Sequence, residues 1–272
     1  MSLFEQTKRL LRSFRIVPNR HLGQNFTVDA SVFGRVVDYA LLSGCDVVLE
    51  VGAGLGFLTR LLGEKCKRVL AVECDRRLVE VLRGQLAGVS NVVVVEGDVF
   101  RVQVSGFNKV VSVPPYQVSS RLVSWLFGRG FECAVMVFQE EFAERLVASV
   151  GAESYGWLTV VAYYYADVEV LDRVSRSAFF PQPEVDSVIV RLKSRKPLFT
   201  VRDEKLFAGF VRSVFVERNR KVRNAVLPFL KGVLRLEAED ACRVAGGLPF
   251  RDRRVRELAP EDFGVLVNAI VG

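Results

Sequence analysis

One histidine, His21, stands among 272 residues, and the five cysteines, Cys45, Cys66, Cys74, Cys133 and Cys242, form no Cys-x-x-Cys pair. Structural and catalytic zinc sites need clusters of such ligands, so no metal site is expected. Five is an odd number, which fits reduced, mostly buried thiols better than a secreted disulfide framework, while a Cys66–Cys74 bridge stays open at this level. The apolar runs are broken by charge well before the roughly 20 residues that a membrane-spanning helix requires. Polar Glu5, Gln6 and Lys8 stand where a signal peptide would be apolar. The expectation is a cytoplasmic protein with no membrane partner.

Half of the residues are hydrophobic, enough to bury a sizeable core in one large domain or in a large domain with a small appendage. The net charge of +7 is unevenly placed. From Arg191 to Arg256 there are eighteen Lys and Arg against seven Asp and Glu, which leaves the rest of the chain acidic. Lys8, Arg9, Arg12, Arg15 and Arg20 make a second basic patch. Two such segments are candidates to hold a polyanion, and nucleic acid is the commonest one. Only nine of the 38 basic residues are lysine, and the planar guanidinium suits bidentate contacts to phosphate.

The stretch Val47 to Gly56 is an apolar, β-branched run ending in Gly52, Gly54 and Gly56. It reads as a strand feeding a tight turn that a ligand can approach closely, with a helix starting near Phe57. Three glycines alone leave dehydrogenase and methyltransferase open. Glu50 before them and the missing Gly-x-x-Gly ending favour S-adenosylmethionine over a dinucleotide. Strand and helix patterns then alternate: a helix near 57–64, a strand Arg68 to Glu73, a helix near 76–86, and strands Val92 to Glu96, Lys109 to Val113 and Cys133 to Phe138. The fold class is α/β, a Rossmann-like, doubly wound sheet whose ligands lie at the carboxyl ends of the strands, where Gly52, Glu73, Asp98 and Tyr116 fall. There the glycine turn offers backbone N–H groups to the methionine portion of the cofactor, Glu73 accepts from the ribose hydroxyls, and Asp98 accepts from the adenine amino group.

A strand pair is expected at 158–170 and 185–192, then a polar linker at 193–197. From Asp203 onward helical periodicity dominates. The division expected is a catalytic domain over 1–192 and a small helical RNA-binding domain over 193–272. A small-molecule methyltransferase would explain the glycine turn and leave the basic helical segment without a purpose.

The strand ending in Ser112-Val113-Pro114-Pro115-Tyr116 resembles the turn of amino-methyltransferases, in which Asn-Pro-Pro-Tyr or Asn-Leu-Pro-Tyr grips an exocyclic amine. The match widens with His21-Leu22-Gly23-Gln24-Asn25-Phe26 and Asp29, Gln139-Glu140-Glu141 through Arg145, Phe179-Phe180-Pro181-Gln182-Pro183-Glu184-Val185-Asp186-Ser187, Arg220-Lys221-Val222-Arg223-Asn224 and Arg256-Glu257-Leu258-Ala259-Pro260-Glu261. Together these resemble the small-subunit rRNA adenine N6,N6-dimethyltransferase family, to which the erythromycin-resistance methyltransferases are related. The resemblance covers residues 15–268. It implies methyl transfer from S-adenosylmethionine to the N6 amines of two adjacent adenines in the 3′-terminal hairpin of small-subunit rRNA, within the immature small ribosomal subunit, by a monomer. Carried over, Gln24, Asn25, Thr27, Gly52, Gly54, Glu73, Asp98 and Val113 contact the cofactor. Val113, Pro114, Pro115 and Tyr116 form the catalytic turn, and Tyr116 and Phe180 stack on a flipped-out adenine. Arg218, Arg220, Lys221 and Arg223 meet RNA phosphates.

Adenine N6 is a poor nucleophile because its lone pair is delocalised into the ring, so the site needs hydrogen-bond acceptors that rehybridise and align the amine. The Pro114 carbonyl is one. The family's second acceptor is Asn, and Val113 stands in its place, with Ser112 as the one nearby substitute. The alternative that follows is a catalytically weakened chain, mono-methylating or inactive, that serves as an RNA-binding ribosome-assembly factor. His21 reads as structural or RNA-facing, since no step calls for it.

Overall fold

The computed structural model describes residues 1–272, apart from the side chain of Arg20; that cation of the N-terminal patch lies outside the described residues. The elements in chain order are α1 (Leu3–Ser13), β1 (Phe26–Thr27), α2 (Ala30–Ala40), β2 (Val47–Val51), α3 (Phe57–Lys65), β3 (Arg68–Glu73), α4 (Arg76–Gln85), β4 (Val92–Glu96), β5 (Lys109–Ser112), α5 (Ser119–Phe127) and β6 (Cys133–Gln139). There follow α6 (Glu140–Leu146), α7 (Trp157–Tyr165), β7 (Ala166–Val174), β8 (Phe179–Phe180), β9 (Ser187–Ser194), α8 (Glu204–Val214), α9 (Val222–Ala225), α10 (Leu227–Gly232), α11 (Ala238–Gly247) and α12 (Pro260–Val271).

Seven strands form one sheet in the order β4-β3-β2-β5-β6-β9-β7. β2, β3, β4, β5 and β6 run parallel, and β9 is antiparallel to β6. The central strands are near-continuous Val, Leu and Ala because both of their faces are covered; Val48, Leu49, Val110, Val111, Ala134 and Val135 are all buried. Chain order reverses between β2 and β5, so their carboxyl ends diverge and leave a crevice. This is a Rossmann-like sheet, followed by a helical C-terminal region.

The chain divides into two compact units, residues 1–143 with 168–194, and residues 144–167 with 195–272. The sequence reading cuts the chain once, near 192; it carries no signal for a segment that leaves one unit and returns to it. In the second unit, Phe207, Phe210, Val211 and Val214 of α8 are buried, as are Phe229, Leu230, Phe263 and Leu266.

Three expectations are corrected. Residues 158–165 are helix, not strand: Gly156 caps α7, and Leu158 through Ala162 and Tyr164 are all buried, so no polar stripe marks the helical period. Residues Lys193 and Ser194 belong to β9, and Arg195 is tied to Asp167 and the Tyr163 carbonyl, so only 196–197 keep a linker's character. The thiols are free and mostly exposed: Cys66 is buried, Cys133 half-buried, and Cys45, Cys74 and Cys242 exposed. Among the described residues no cluster of three or more His, Cys, Asp or Glu could hold a metal, and no helix is long and apolar enough to cross a membrane.

Helix α1 is an element absent from the sequence reading. Ser2 and Glu5 form a reciprocal capping box at its start, a Ser-x-x-Glu signal legible in the sequence.

Candidate active site

A cavity of about 500 Å³ opens at the carboxyl ends of β2, β3, β4 and β5, within the first unit. Its walls include Gln24, Asn25 and Thr27, the 50–55 turn, Glu73 and Cys74, Asp98 to Arg101, Val113 to Val118, Arg121 and Phe179. All the cofactor residues expected from the sequence and the whole catalytic turn therefore meet in one place, which Phe180 does not line. The volume lies within the usual range of about 300–1,000 Å³ for small-molecule sites.

The glycine turn works by shape. Gly52, Gly54 and Gly56 have φ of 79°, 57° and 84°, values that side chains rarely adopt. A Cβ on Gly52 would lie 3.0 Å from Pro115 Cδ, so the turn after β2 and the Pro-Pro turn after β5 touch through the glycine. The expectation of free N–H donors is corrected for Gly52, Ala53 and Gly54. The N–H groups of Gly52 and Ala53 both donate to the Val72 carbonyl, and that of Gly54 donates to Glu73 Oε2 at 2.9 Å. The turn offers room for a ligand, and the N–H groups of Gly52, Ala53 and Gly54 are already engaged.

Glu73 ends β3 and is 5 % exposed. Its Oε1 accepts from the Asp75 N–H at 2.9 Å. Burial pushes its pKa up, against the hydrogen bonds from the backbone of Asp75, Gly54 and Cys74. Asp98 follows β4; its Oδ1 accepts from the Phe100 N–H at 3.0 Å and its Oδ2 lies 3.6 Å from Arg101. Gln24 clamps the entrance loop, its amide donating to Asp75 Oδ2 at 2.8 Å and accepting from the Asn19 N–H at 2.8 Å. The Thr27 hydroxyl is buried without a partner.

Glu50 lines the same cavity and has no counterpart among the expected contacts. It is 2 % exposed, its Oε2 has no hydrogen-bond partner, and burial raises its pKa from 4.5 to about 8, with the Thr59 hydroxyl opposing and the Glu73 charge adding to the shift. The acid before the glycines is visible in the sequence; its desolvation follows from a sheet covered on both faces.

On the β5 side, the Tyr116 hydroxyl shares a 2.7 Å hydrogen bond with the Ser187 hydroxyl, and burial raises the phenol pKa so that it stays protonated. The Tyr116 and Phe179 rings meet edge to face at 6.3 Å. Phe179, 3 % exposed, pairs with Thr27 across the β1–β8 ribbon and lines the cavity, whereas the adjacent Phe180 stacks edge-on against Phe4 at 5.7 Å. Of the two rings only that of Phe179 lines the cavity. Val113 lines the wall, and the Ser112 hydroxyl donates to the Val51 carbonyl at 2.6 Å, which turns it away from any substitute role. Opposite Asp98, the Arg121 guanidinium lies 3.8 Å over the Phe100 ring.

The cations expected to meet RNA are engaged within the second unit. Arg218 donates to the carbonyls of Glu153 and Ala152 at 2.7 and 3.0 Å, and Arg220 pairs with Glu217 at 2.9 Å. Lys221 and Arg223 lie 3.7 and 2.6 Å from Asp252.

An apolar cavity with acidic acceptors on successive strand ends fits a nucleoside cofactor, and the comparisons agree. The model of the family described as "Ribosomal RNA adenine dimethylase" matches residues 17–254. A protein of Methanosarcina acetivorans named "Probable ribosomal RNA small subunit methyltransferase A" is 40% identical over 249 residues, 91% of each chain. Among solved structures, a dimethyladenosine transferase from Plasmodium falciparum superposes with a TM-score of 0.75 at 26% identity, covering 90% of this chain and 97% of that one. The 23S rRNA methyltransferase ErmE gives 0.65 at 30% identity, covering 91% and 100%.

Proposed function

This chain belongs to the ribosomal RNA adenine dimethylase family, S-adenosylmethionine-dependent rRNA adenine methyltransferases, and from that premise we propose that it dimethylates N6 of two adjacent adenines in the 3′-terminal hairpin of small-subunit rRNA. The observation that carries the reading is the cavity itself: Glu73 and Asp98 on one side and Val113 to Tyr116 with Phe179 on the other line a single space.

S-adenosylmethionine supplies an electrophilic methyl on a sulfonium whose charge disappears on transfer. The protein's part is to bind, orient and exclude water. Glu73 receives the ribose hydroxyls and Asp98 the adenine amino group, with Gln24, Asn25, Thr27, Gly52, Gly54 and Val113 shaping the remainder. The target adenine, taken out of its stack, lies against Tyr116 and Phe179, a platform worth about 1–3 kcal/mol per base. The Pro114 carbonyl accepts from the N6 amine and directs its lone pair at the methyl group. No general base is required, because the alkylated amine loses its proton readily to water. We place the reaction on the immature small subunit in the cytoplasm, with the chain acting as a monomer.

One observation favours a weaker enzyme. Val113 carries no acceptor and the Ser112 hydroxyl is bound to Val51, so the amine meets one acceptor in place of two. A chain of this kind would stop at one methyl, or bind subunits as an assembly factor. Labelled methyl transfer to unmethylated small subunits, with nucleosides resolved by mass spectrometry, separates the readings. N6,N6-dimethyladenosine supports the proposal, N6-methyladenosine alone supports the weakened enzyme, and intact subunit binding without incorporation rejects turnover.

A further inference from the structure

Since the expected RNA-binding cations of the second unit have partners, the unengaged ones stand out. Helix α1 and the residue pair after it carry Lys8, Arg9, Arg12 and Arg15 against one acid, Glu5, whose carboxylate accepts from the Ser2 N–H at 2.9 Å. Arg9, Arg12 and Arg15 are exposed, and among the described residues none of the three belongs to an ion pair. Lys8, Arg9 and Arg12 line one shallow groove with Glu5 and Ser13.

This face is fixed beside the cavity. Leu10, Leu11 and Ile16 pack in one cluster with Phe26 and Leu55, both of which line the cavity wall. Lys8 Nζ lies 4.1 Å from the Phe4 ring centre and 5.4 Å from that of Phe180, the neighbour of the cavity residue Phe179. Phe4 and Phe14 are 38% and 46% exposed, which interleaves aromatic rings with the cations.

Arg15 closes the helix. The helix ends in a Schellman motif, with the Ile16 N–H on the Leu11 carbonyl and the Arg15 N–H on the Arg12 carbonyl. Arg15 occupies the left-handed position, φ 53°, where glycine is free of strain and a side chain is disfavoured. Leu41, Arg235 and Phe250 share this conformation, so Arg15 counts here for its exposed guanidinium beside Arg12 and not for its backbone.

We infer that the outer face of α1, with Arg9, Arg12 and Arg15, is a second RNA-contact surface that grips phosphates of the strand flanking the target adenine. The inference rests on the RNA-methylating reading above. Guanidinium groups suit phosphate through paired N–H donors, and Phe4 and Phe14 offer stacking faces at the edges of the patch. A lipid surface is the lesser fit, because the apolar face of α1 is already buried against the protein.

The test uses the full chain and a transcript of the small-subunit 3′ region, with affinity measured across salt. For the combined Arg9→Gln, Arg12→Gln and Arg15→Gly variant, the slope of log affinity against log salt should become shallower by about 0.7–0.9 for each phosphate no longer neutralised, with at least about tenfold weaker binding at low salt. S-adenosylmethionine affinity should be unchanged, which reports an intact cavity. Arg15→Gly alone should weaken RNA binding while the melting temperature stays equal or rises, a combination that a purely structural role for Arg15 does not produce. Unchanged slope and affinity in the combined variant, with wild-type chain methylating the same RNA, would overturn the inference and leave the enzymatic reading standing. The same RNA result with binding to phosphatidylserine vesicles abolished would assign the face to lipid. A wild-type chain that neither binds nor methylates small-subunit RNA would overturn both.

Discussion

Replacing Glu50 by Gln should stabilise the ligand-free protein, increasingly as pH rises above 4.5 and fully above about 8. The Glu50 carboxyl is 2 % exposed, Oε2 has no partner, and burial moves its pKa from 4.5 to about 8. In the unfolded chain the group releases its proton near its ordinary value, while in the native chain it keeps the proton to about pH 8. The native state thus binds more protons across this window, and stability falls as pH rises through it. One pH unit corresponds to about 1.4 kcal/mol, so the full span amounts to at most about 5 kcal/mol, less whatever relaxation and water entry recover. Gln keeps the shape and removes the titration. At about 2–4 °C per kcal/mol for a unit of this size, the variant should melt roughly 5–15 °C above wild type at pH 9 and close to it at pH 4.5. Wild-type Glu73, whose pKa is also raised by burial, leaves a residual slope in both proteins. Melting temperature measured by calorimetry from pH 4.5 to 9 provides the check. Two parallel curves would refute the assignment of a desolvated, proton-holding carboxyl at this position.

Gly52→Ala should destabilise the fold by at least about 1–2 kcal/mol, because φ is 79° and the new Cβ meets Pro115 Cδ at 3.0 Å; cofactor affinity by calorimetric titration should fall with it. Tyr116→Phe loses the 2.7 Å bond to Ser187 and should cost about 0.5–1.5 kcal/mol in kcat/KM. Tyr116→Ala also loses a stacking face and should cost a further 1–3 kcal/mol or so; equal rates for the two variants would show that the ring does not stack on the substrate. Val113→Asn restores a second acceptor and should raise the single-turnover methylation rate, by up to about 10²-fold if a full transition-state hydrogen bond forms. A rate at or below wild type would mean that the amine is held another way.

The site is legible where chemistry and strand ends coincide. β3 and β4 end on Glu73 and Glu96 as the sequence reading has them, and the apolar runs of β2, β5 and β6 differ by a residue at most. That is the expected outcome for short β-branched runs closed by Gly, Pro or acid. The misses have physical causes. Helix α7 is buried nearly all round and shows no period, and in α1 the dense positive charge masks the short capping-box signal. Phe179 and Phe180 are chemically identical neighbours, and only the folded chain, in which Phe179 lines the cavity and Phe180 does not, tells them apart. The partners of Arg218, Arg220, Lys221 and Arg223 are carbonyls and acids as far as 66 residues away or brought close by a turn, information that spacing does not hold. The use of the turn's N–H groups by Val72 and Glu73 depends likewise on the parallel neighbour strand.

On the proposed reading, this cavity methylates adjacent adenines in the small-subunit 3′ hairpin. Its most direct test compares labelled methyl transfer into unmethylated small subunits carrying the natural hairpin with transfer into subunits whose two adenines are replaced by guanines. The expected result is N6,N6-dimethyladenosine at both positions in the first and no incorporation in the second. Incorporation that persists after the replacement, or modified adenines mapped elsewhere in the RNA, would contradict it.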